Sequence, residues 1–234
     1  MKIYVVGSSK NKFFPLDNIR EKFLIDEKHN DANIDFLNPW YSELTGLYHL
    51  WLNNKDDVVG LEHYRTGFWK DGHQLTETDI DEMLKTSDII VGGFNYPIWN
   101  SPTLMKDLER NEVTKPVLGE FLNTVKEYDP EFYKCLIAYL NDEHFYACNL
   151  FVGRRQILDE WCSFIFPLLT TFEQKCKIGP NTYKTFRREG FFAEFLFGAW
   201  IKYKNLKITE CRILKYNHAL DKVELDMKGT HIKL

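Results

Sequence analysis

Four short apolar runs, each stopping at a glycine or a polar string, constrain this chain more than any other feature. They are Ile3-Tyr4-Val5-Val6-Gly7, Val58-Val59-Gly60-Leu61, Asp88-Ile89-Ile90-Val91-Gly92-Gly93 and Asn149-Leu150-Phe151-Val152-Gly153. Runs this short, rich in β-branched residues and without polar alternation, suit strands buried on both faces. Helical patterns lie between them. Asn38 can cap and Pro39 can open a helix with Leu44, Leu47, Tyr48 and Trp51 on one face, ending near Asn53-Asn54. Thr76 or Thr78 can open a second helix running to Lys85, and two more are expected at about 116–127 and 130–141. Leu158, Trp161, Cys162, Ile165 and Leu169 trace an apolar stripe over Arg154 to Leu169, where Pro167 is expected to kink or stop the helix. Phe191 to Tyr203 reads as a nearly all-apolar helix and Leu206 to Leu214 as a last strand. Residues 10–37 show no period, and 94–115 read as a long loop of the kind that carries function. This alternation predicts one α/β domain over residues 1–234, with a mixed, mostly parallel sheet flanked by helices.

The 44% hydrophobic content is enough to fill such a core, and 30 basic against 34 acidic residues, a net of -4, argue against a nucleic-acid partner. No window reaches the roughly 18 to 20 apolar residues of a membrane span, and the strand-like start is no signal peptide, so a cytoplasmic location is expected. Five cysteines with no C-x-x-C spacing read as reduced, buried thiols. The 18 Phe, 12 Tyr and 6 Trp fill cores, and such rings also stack sugars and bases.

G-x-G-x-x-G, Walker, G-x-S-x-G and H-E-x-x-H signatures are all absent, which disfavours dehydrogenase, P-loop kinase, serine hydrolase and zinc protease chemistry. Three polar clusters remain. Glu62-His63-Tyr64-Arg65 ends a strand: Arg65 offers a planar fork to a diphosphate or carboxylate, and His63 and Tyr64 can donate and stack. Glu194 is the only ionisable side chain between Phe191 and Ile201. Two readings stand for it: a cleft carboxylate whose raised pKa suits general-base work, or a scaffolding partner of Arg187 or Arg188. Glu43, within Tyr41-Ser42-Glu43-Leu44-Thr45, is either a helix-capping acid or a ligand-binding one. No metal-binding D-x-D follows a strand. Asp56-Asp57 precedes one, Glu62-His63 sits roughly where such a motif would lie, and arginine can replace a cation's charge, so dependence on manganese or magnesium stays open.

The segments Asn38-Pro39-Trp40-Tyr41-Ser42-Glu43-Leu44-Thr45 and Val59-Gly60-Leu61-Glu62-His63-Tyr64-Arg65 resemble a bacterial glycosyltransferase family first catalogued as domain of unknown function 4422. Later pieces of its pattern stand at Cys148-Asn149-Leu150-Phe151-Val152, at Phe166-Pro167-Leu168-Leu169 and at Gly190-Phe191-Phe192-Ala193-Glu194, so the resemblance covers about residues 1–204. It implies a GT-A-like (Rossmann-like) fold, a nucleotide-sugar donor such as UDP-galactofuranose, and a saccharide or lipid-linked acceptor in capsule, exopolysaccharide or O-antigen synthesis. A lipid-linked acceptor would bring the chain to the inner face of the membrane. On this reading Gly7, Ser8 and Ser9 hold base and ribose, with Glu43, Thr45, His63, Tyr64, Arg65 and Asn149 also on the donor side and Glu194 as catalytic base. Thr66 and Phe195 depart from the family pattern, which has arginine at both places, and both departures are expected to remove positive charge from the site. A non-catalytic nucleotide-sugar or glycan-binding module on the same fold is the alternative. A third reading makes the aromatic stretch 94–102 a partner surface.

Overall fold

A computed structural model describes residues 1–95, 102–176, 187–217 and 222–225. Residues 96–101 of the aromatic stretch lie outside them.

The buried runs form the strands expected of them. They are β1 (Lys2–Gly7), β3 (Val58–His63), β6 (Ile89–Asn95) and β7 (His144–Arg154), joined by β2 (Arg20–Leu24), β4 (Thr66–Lys70), β5 (His73–Gln74), β8 (Ile208–Asn217) and β9 (Lys222–Leu225). Among the described residues these nine strands make one sheet in the order β2-β1-β3-β7-β6-β8-β4-β5, with β9 on β8. The expectation of a mostly parallel sheet is corrected. Parallel pairing among the described residues is confined to β1 with β2, β1 with β3, and β6 with β8. The reason is β7, which runs antiparallel to both central neighbours, β3 and β6, and so reverses the ladder in mid-sheet. The pair His63 and Thr66 also joins β3 to β4, so that β3, β7, β6, β8 and β4 close into a small ring.

The helices are α1 (Asn38–Tyr41), α2 (Leu44–Asn53), α3 (Glu77–Met83), α4 (Leu104–Arg110), α5 (Leu118–Tyr128), α6 (Pro130–Leu140), α7 (Arg155–Lys175) and α8 (Arg188–Tyr203). α2 packs on β1 and β3, α8 on β7 and α6, and α7 on α2, α5 and α8. Thr76 caps α3 in a reciprocal box with Asp79. Asp129 caps α6, accepting from the amides of Glu131 and Phe132 at 3.0 and 2.9 Å, with Pro130 in the first turn.

Three local expectations change. The helix after Pro39 is broken at Ser42, whose φ of 50° ends α1 before α2 begins. Pro167 neither stops nor ends α7, which continues to Lys175. Leu168, Leu169 and Phe172 are buried beyond it, so packing outweighs the lost backbone bond. The region read as a loop over 94–115 contains α4, capped by Thr103. The five cysteines carry no disulfide; Cys162, Cys176 and Cys211 are buried, whereas Cys135 and Cys148 are half-buried.

Glu62 belongs to this framework. It is buried on the ring side of β3 and accepts from Arg20 Nε at 2.7 Å and Nη2 at 3.1 Å, and from the Phe68 amide at 3.2 Å. Arg20 in turn reaches Asp17 and the Leu75 carbonyl, tying β2, β3 and β4 together. Glu62 therefore does not fill the place of a metal-binding acid. Removing the arginine leaves a buried, uncompensated carboxylate, so Arg20→Ala should lower unfolding stability by about 3–5 kcal/mol in urea titration; a loss below about 1 kcal/mol would show that β3 does not depend on this pair.

Candidate functional site: a cleft beside two neighbouring carboxylates

Because β1 and β3 run parallel, their carboxyl ends lie side by side, with Val6 opposite His63. Crevices outside such strand ends are where α/β sheets bind ligands. A cleft of about 220 Å³ opens here, lined by Gly7, Asn11, Asn38, Ser42, Glu43, His63, Tyr64 and Arg187, with Val6 and Ile25 as apolar wall. Backbone bonds fix its rim: Tyr64 N donates to Val6 O at 2.9 Å and Ile25 N to Gly7 O at 3.0 Å. Gly7 is required by close approach, since a Cβ there would stand 2.7 Å from Tyr64 Cβ and 2.8 Å from Phe13 Cζ.

Behind the cleft, β7 carries a large bulge. Val91 pairs with Phe151 and Gly93 with Tyr146, so residues 147–150 stand opposite Gly92. Within it Cys148 and Asn149 have φ of 62° and 52°. Non-glycine residues there carry local strain, and bulges of this kind re-aim polar groups. The Cys148 amide donates to Glu194 Oε2 at 2.9 Å, and Asn149 Nδ2 donates to Glu43 Oε1 at 2.8 Å. One dipeptide thus holds an acid from α8 and an acid from the start of α2.

The electrostatics follow from this proximity. Burial, and next the Glu43 carboxylate, push the Glu194 pKa up to about 8, against the Cys148 N–H and the Arg187 charge. His63 Nε2 lies 3.8 Å from Glu43 Oε2. Burial holds the His63 pKa below its ordinary value, outweighing Glu43, while Arg187 and Arg65 push in the same direction as burial. His63 Nε2, Asn38 Oδ1 and Asn149 Oδ1 are enclosed without hydrogen-bond partners among the described residues. Buried polar atoms left unmatched carry a free-energy cost that a ligand's hydroxyls or a bound water can remove.

Of the residues singled out in the sequence, Gly7, Glu43, His63 and Tyr64 line the cleft, and Asn149 and Glu194 stand behind it. Glu43 stands at the N-cap position of α2, but its side chain makes no capping bond and accepts from Asn149 instead. Arg188 pairs with Glu189, and Arg187 Nε donates to Ser42 Oγ at 3.2 Å, so neither arginine forms an ion pair with Glu194. Thr45 is not at the cleft: it is 1% exposed and its hydroxyl bonds the Ser42 carbonyl. Ser8 and Ser9 turn aside, both hydroxyls donating to Asp26 Oδ2 at 2.7 Å. The Ser9 amide and these hydroxyls draw Asp26 down to about 2. Arg65 is exposed, its guanidinium 5.6 Å over the Tyr64 ring, and is not among the lining residues.

Thr66 and Phe195 are 6% and 4% exposed, the second packed 5.1 Å from Phe145. Both lie in the body of the fold, and neither is among the residues that line the cleft. Sequence reasoning missed Asp26, Asn11 and Arg187 as site-forming residues. For Asp26 the signal was present, an acid directly after the apolar run Phe23-Leu24-Ile25. Among the described residues no three His, Cys, Asp or Glu side chains gather to hold a metal ion, and no helix is long and apolar enough to cross a membrane.

The mixed α/β architecture is similar to that of the bifunctional glycosyltransferase WbbM in its apo form, with a TM-score of 0.75 at 23% sequence identity. The likeness is one of fold; it covers 91% of this chain and 44% of that one, so the chain spans less than half the length of that protein. Residues 2–205 match the family described as domain of unknown function DUF4422, and the chain belongs to that family. A comparison with curated proteins finds no match.

The raised Glu194 pKa has a consequence for stability. An acid at 4.5 unfolded and about 8 folded contributes stability that is complete below about 4.5 and is lost as pH rises through about 8. Glu194→Gln keeps an acceptor for the Cys148 amide and removes the titration, so its melting temperature should gain on that of the wild type between pH 5 and 9. Parallel melting curves across that range would mean that Glu194 is not held protonated by its surroundings.

Proposed function

We propose that the chain is a glycosyltransferase that moves a hexosyl unit, galactofuranosyl first among the candidates, from a UDP-sugar to a saccharide or lipid-linked acceptor in capsule, exopolysaccharide or O-antigen synthesis. The observation that carries this reading is the pair Glu43 and Glu194, bridged by Cys148 and Asn149 beside a cleft at the carboxyl ends of parallel strands. The fold likeness to a glycosyltransferase and the resemblance of the Glu43, His63 and Glu194 segments to the transferase family support it. A GT-A-like domain over residues 1–234, at work in the cytoplasm or at the inner membrane face, is part of the same proposal.

In this mechanism Glu194 takes the proton of the acceptor hydroxyl as that oxygen attacks the anomeric carbon. The carbon–oxygen bond to the donor phosphate breaks, its electron pair leaves with UDP, and direct displacement inverts the anomeric centre. Glu194 must be ionised to act, and burial together with its neighbour Glu43 raises its proton affinity towards the working pH, where a general base is most effective. His63, kept neutral by burial, donates a hydrogen bond to the leaving diphosphate without adding charge. The unmatched Asn38 and Asn149 oxygens accept from sugar hydroxyls.

Calorimetry against a panel of UDP-sugars, with and without manganese, should give saturable heat with at least one; none with any would count against the reading. Turnover should rise with pH through about 8, where Glu194 loses its proton, and Glu194→Gln should cut it by roughly two to four orders of magnitude. A variant that binds donor and turns over normally would remove Glu194 from the role. A chain that binds UDP but releases no sugar, with or without acceptor, would instead be a binding module.

A further inference from the structure

We propose that Arg187 is the anion anchor of the cleft, taking the phosphoryl oxygens of a phosphate-bearing ligand; that this ligand is a nucleotide diphosphate rests on the transferase reading above.

The first argument is position. Arg187 lines the cleft together with Gly7, Asn11, Ser42 and His63, and it is exposed. Arg20, Arg155 and Arg188 are each spent on a carboxylate, Glu62, Asp159 and Glu189 respectively. Arg187 has no ion pair among the described residues. Its guanidinium gives Nε to Ser42 Oγ at 3.2 Å and stacks 5.6 Å from the Phe191 ring. This fixes the plane of the fork while leaving its terminal nitrogens for a bidentate oxygen pair.

The second argument is that the chain holds this cation where the local physics disfavours it. Arg187 has a left-handed φ of 62°, pinned by its amide to Pro39 O at 2.7 Å. It precedes the 16-residue α8 with no side-chain cap, so its positive charge sits at the positive end of that helix. A bound anion is attracted by the guanidinium and by the helix end together, which offsets the repulsion between the two. The third argument is the opposite wall. His63 Nε2 is enclosed, unmatched and lines the same cleft, so it is placed to donate to an oxygen held by Arg187. Arg65, the residue the sequence singled out for this task, does not line the cleft.

The test uses calorimetry on the full chain with three probes: UDP, uridine and inorganic pyrophosphate. Arg187→Ala should weaken UDP and pyrophosphate roughly 10- to 100-fold and leave uridine unchanged, the loss expected for a charge-assisted contact. Equal UDP affinity in wild type and variant would overturn the proposal. Should Arg187→Ala also lose uridine, Arg187→Gln at native melting temperature decides: weaker pyrophosphate upholds the anchor and equal pyrophosphate rejects it. A wild-type chain that binds no UDP sinks the transferase reading. Pyrophosphate then judges the anchor by itself, upheld if binding is present and lost in Arg187→Ala, rejected if binding is absent.

Discussion

The hydrogen bond from Asn149 to Glu43, with its companion from the Cys148 amide to Glu194, is the constraint around which this molecule is organised. Two carboxylates brought together in a partly dry environment repel, and neither helix alone can hold them. A bulge in β7 does so by turning a backbone donor towards one acid and a side-chain amide towards the other. The local strain of two positive-φ residues is the cost of having donors at that spot. The outcome is an acid whose proton affinity is raised first by burial and further by its neighbour's charge.

That arrangement is only as rigid as the strands beneath it. β3 supplies His63 on the cleft side, while the adjacent Glu62 locks to Arg20 inside the ring, so consecutive residues divide chemistry from support. This is the alternation of a strand applied to charged groups: one side chain faces the ligand and the next holds the strand. Asp26 acts similarly for the first loop, gathering Ser8 and Ser9 so that Gly7 and Asn11 remain at the cleft.

Much of this was legible in the sequence wherever one residue's environment was decided locally. The runs at Ile3, Val58 and Ile89 are buried whatever their partners, and an isolated Glu194 among aromatic residues announced its own cost. What stayed hidden depends on partners far away in the chain. Nothing near residue 149 tells that β7 runs antiparallel to β3 and β6, and nothing near Ser42 tells that the helix breaks there. Thr45 and Ser8 look like ligand donors in isolation, and only their neighbours in space claim their hydroxyls. Arg187 was visible as a charge but not as a cleft residue, because its setting comes from a backbone contact with Pro39.

The closed ring of strands also dictates the order in which the protein can be assembled. β3 must find β7 nearly a hundred residues later, and β6 must find β8 still further on, so its contacts are strongly non-local. During synthesis the ring therefore stays open, with part of its apolar surface uncovered, until β8 has left the ribosome. Newly made chains are vulnerable to aggregation and proteolysis throughout that interval, and a truncation just before β8 would leave every proposed site residue present on a scaffold whose ring cannot close.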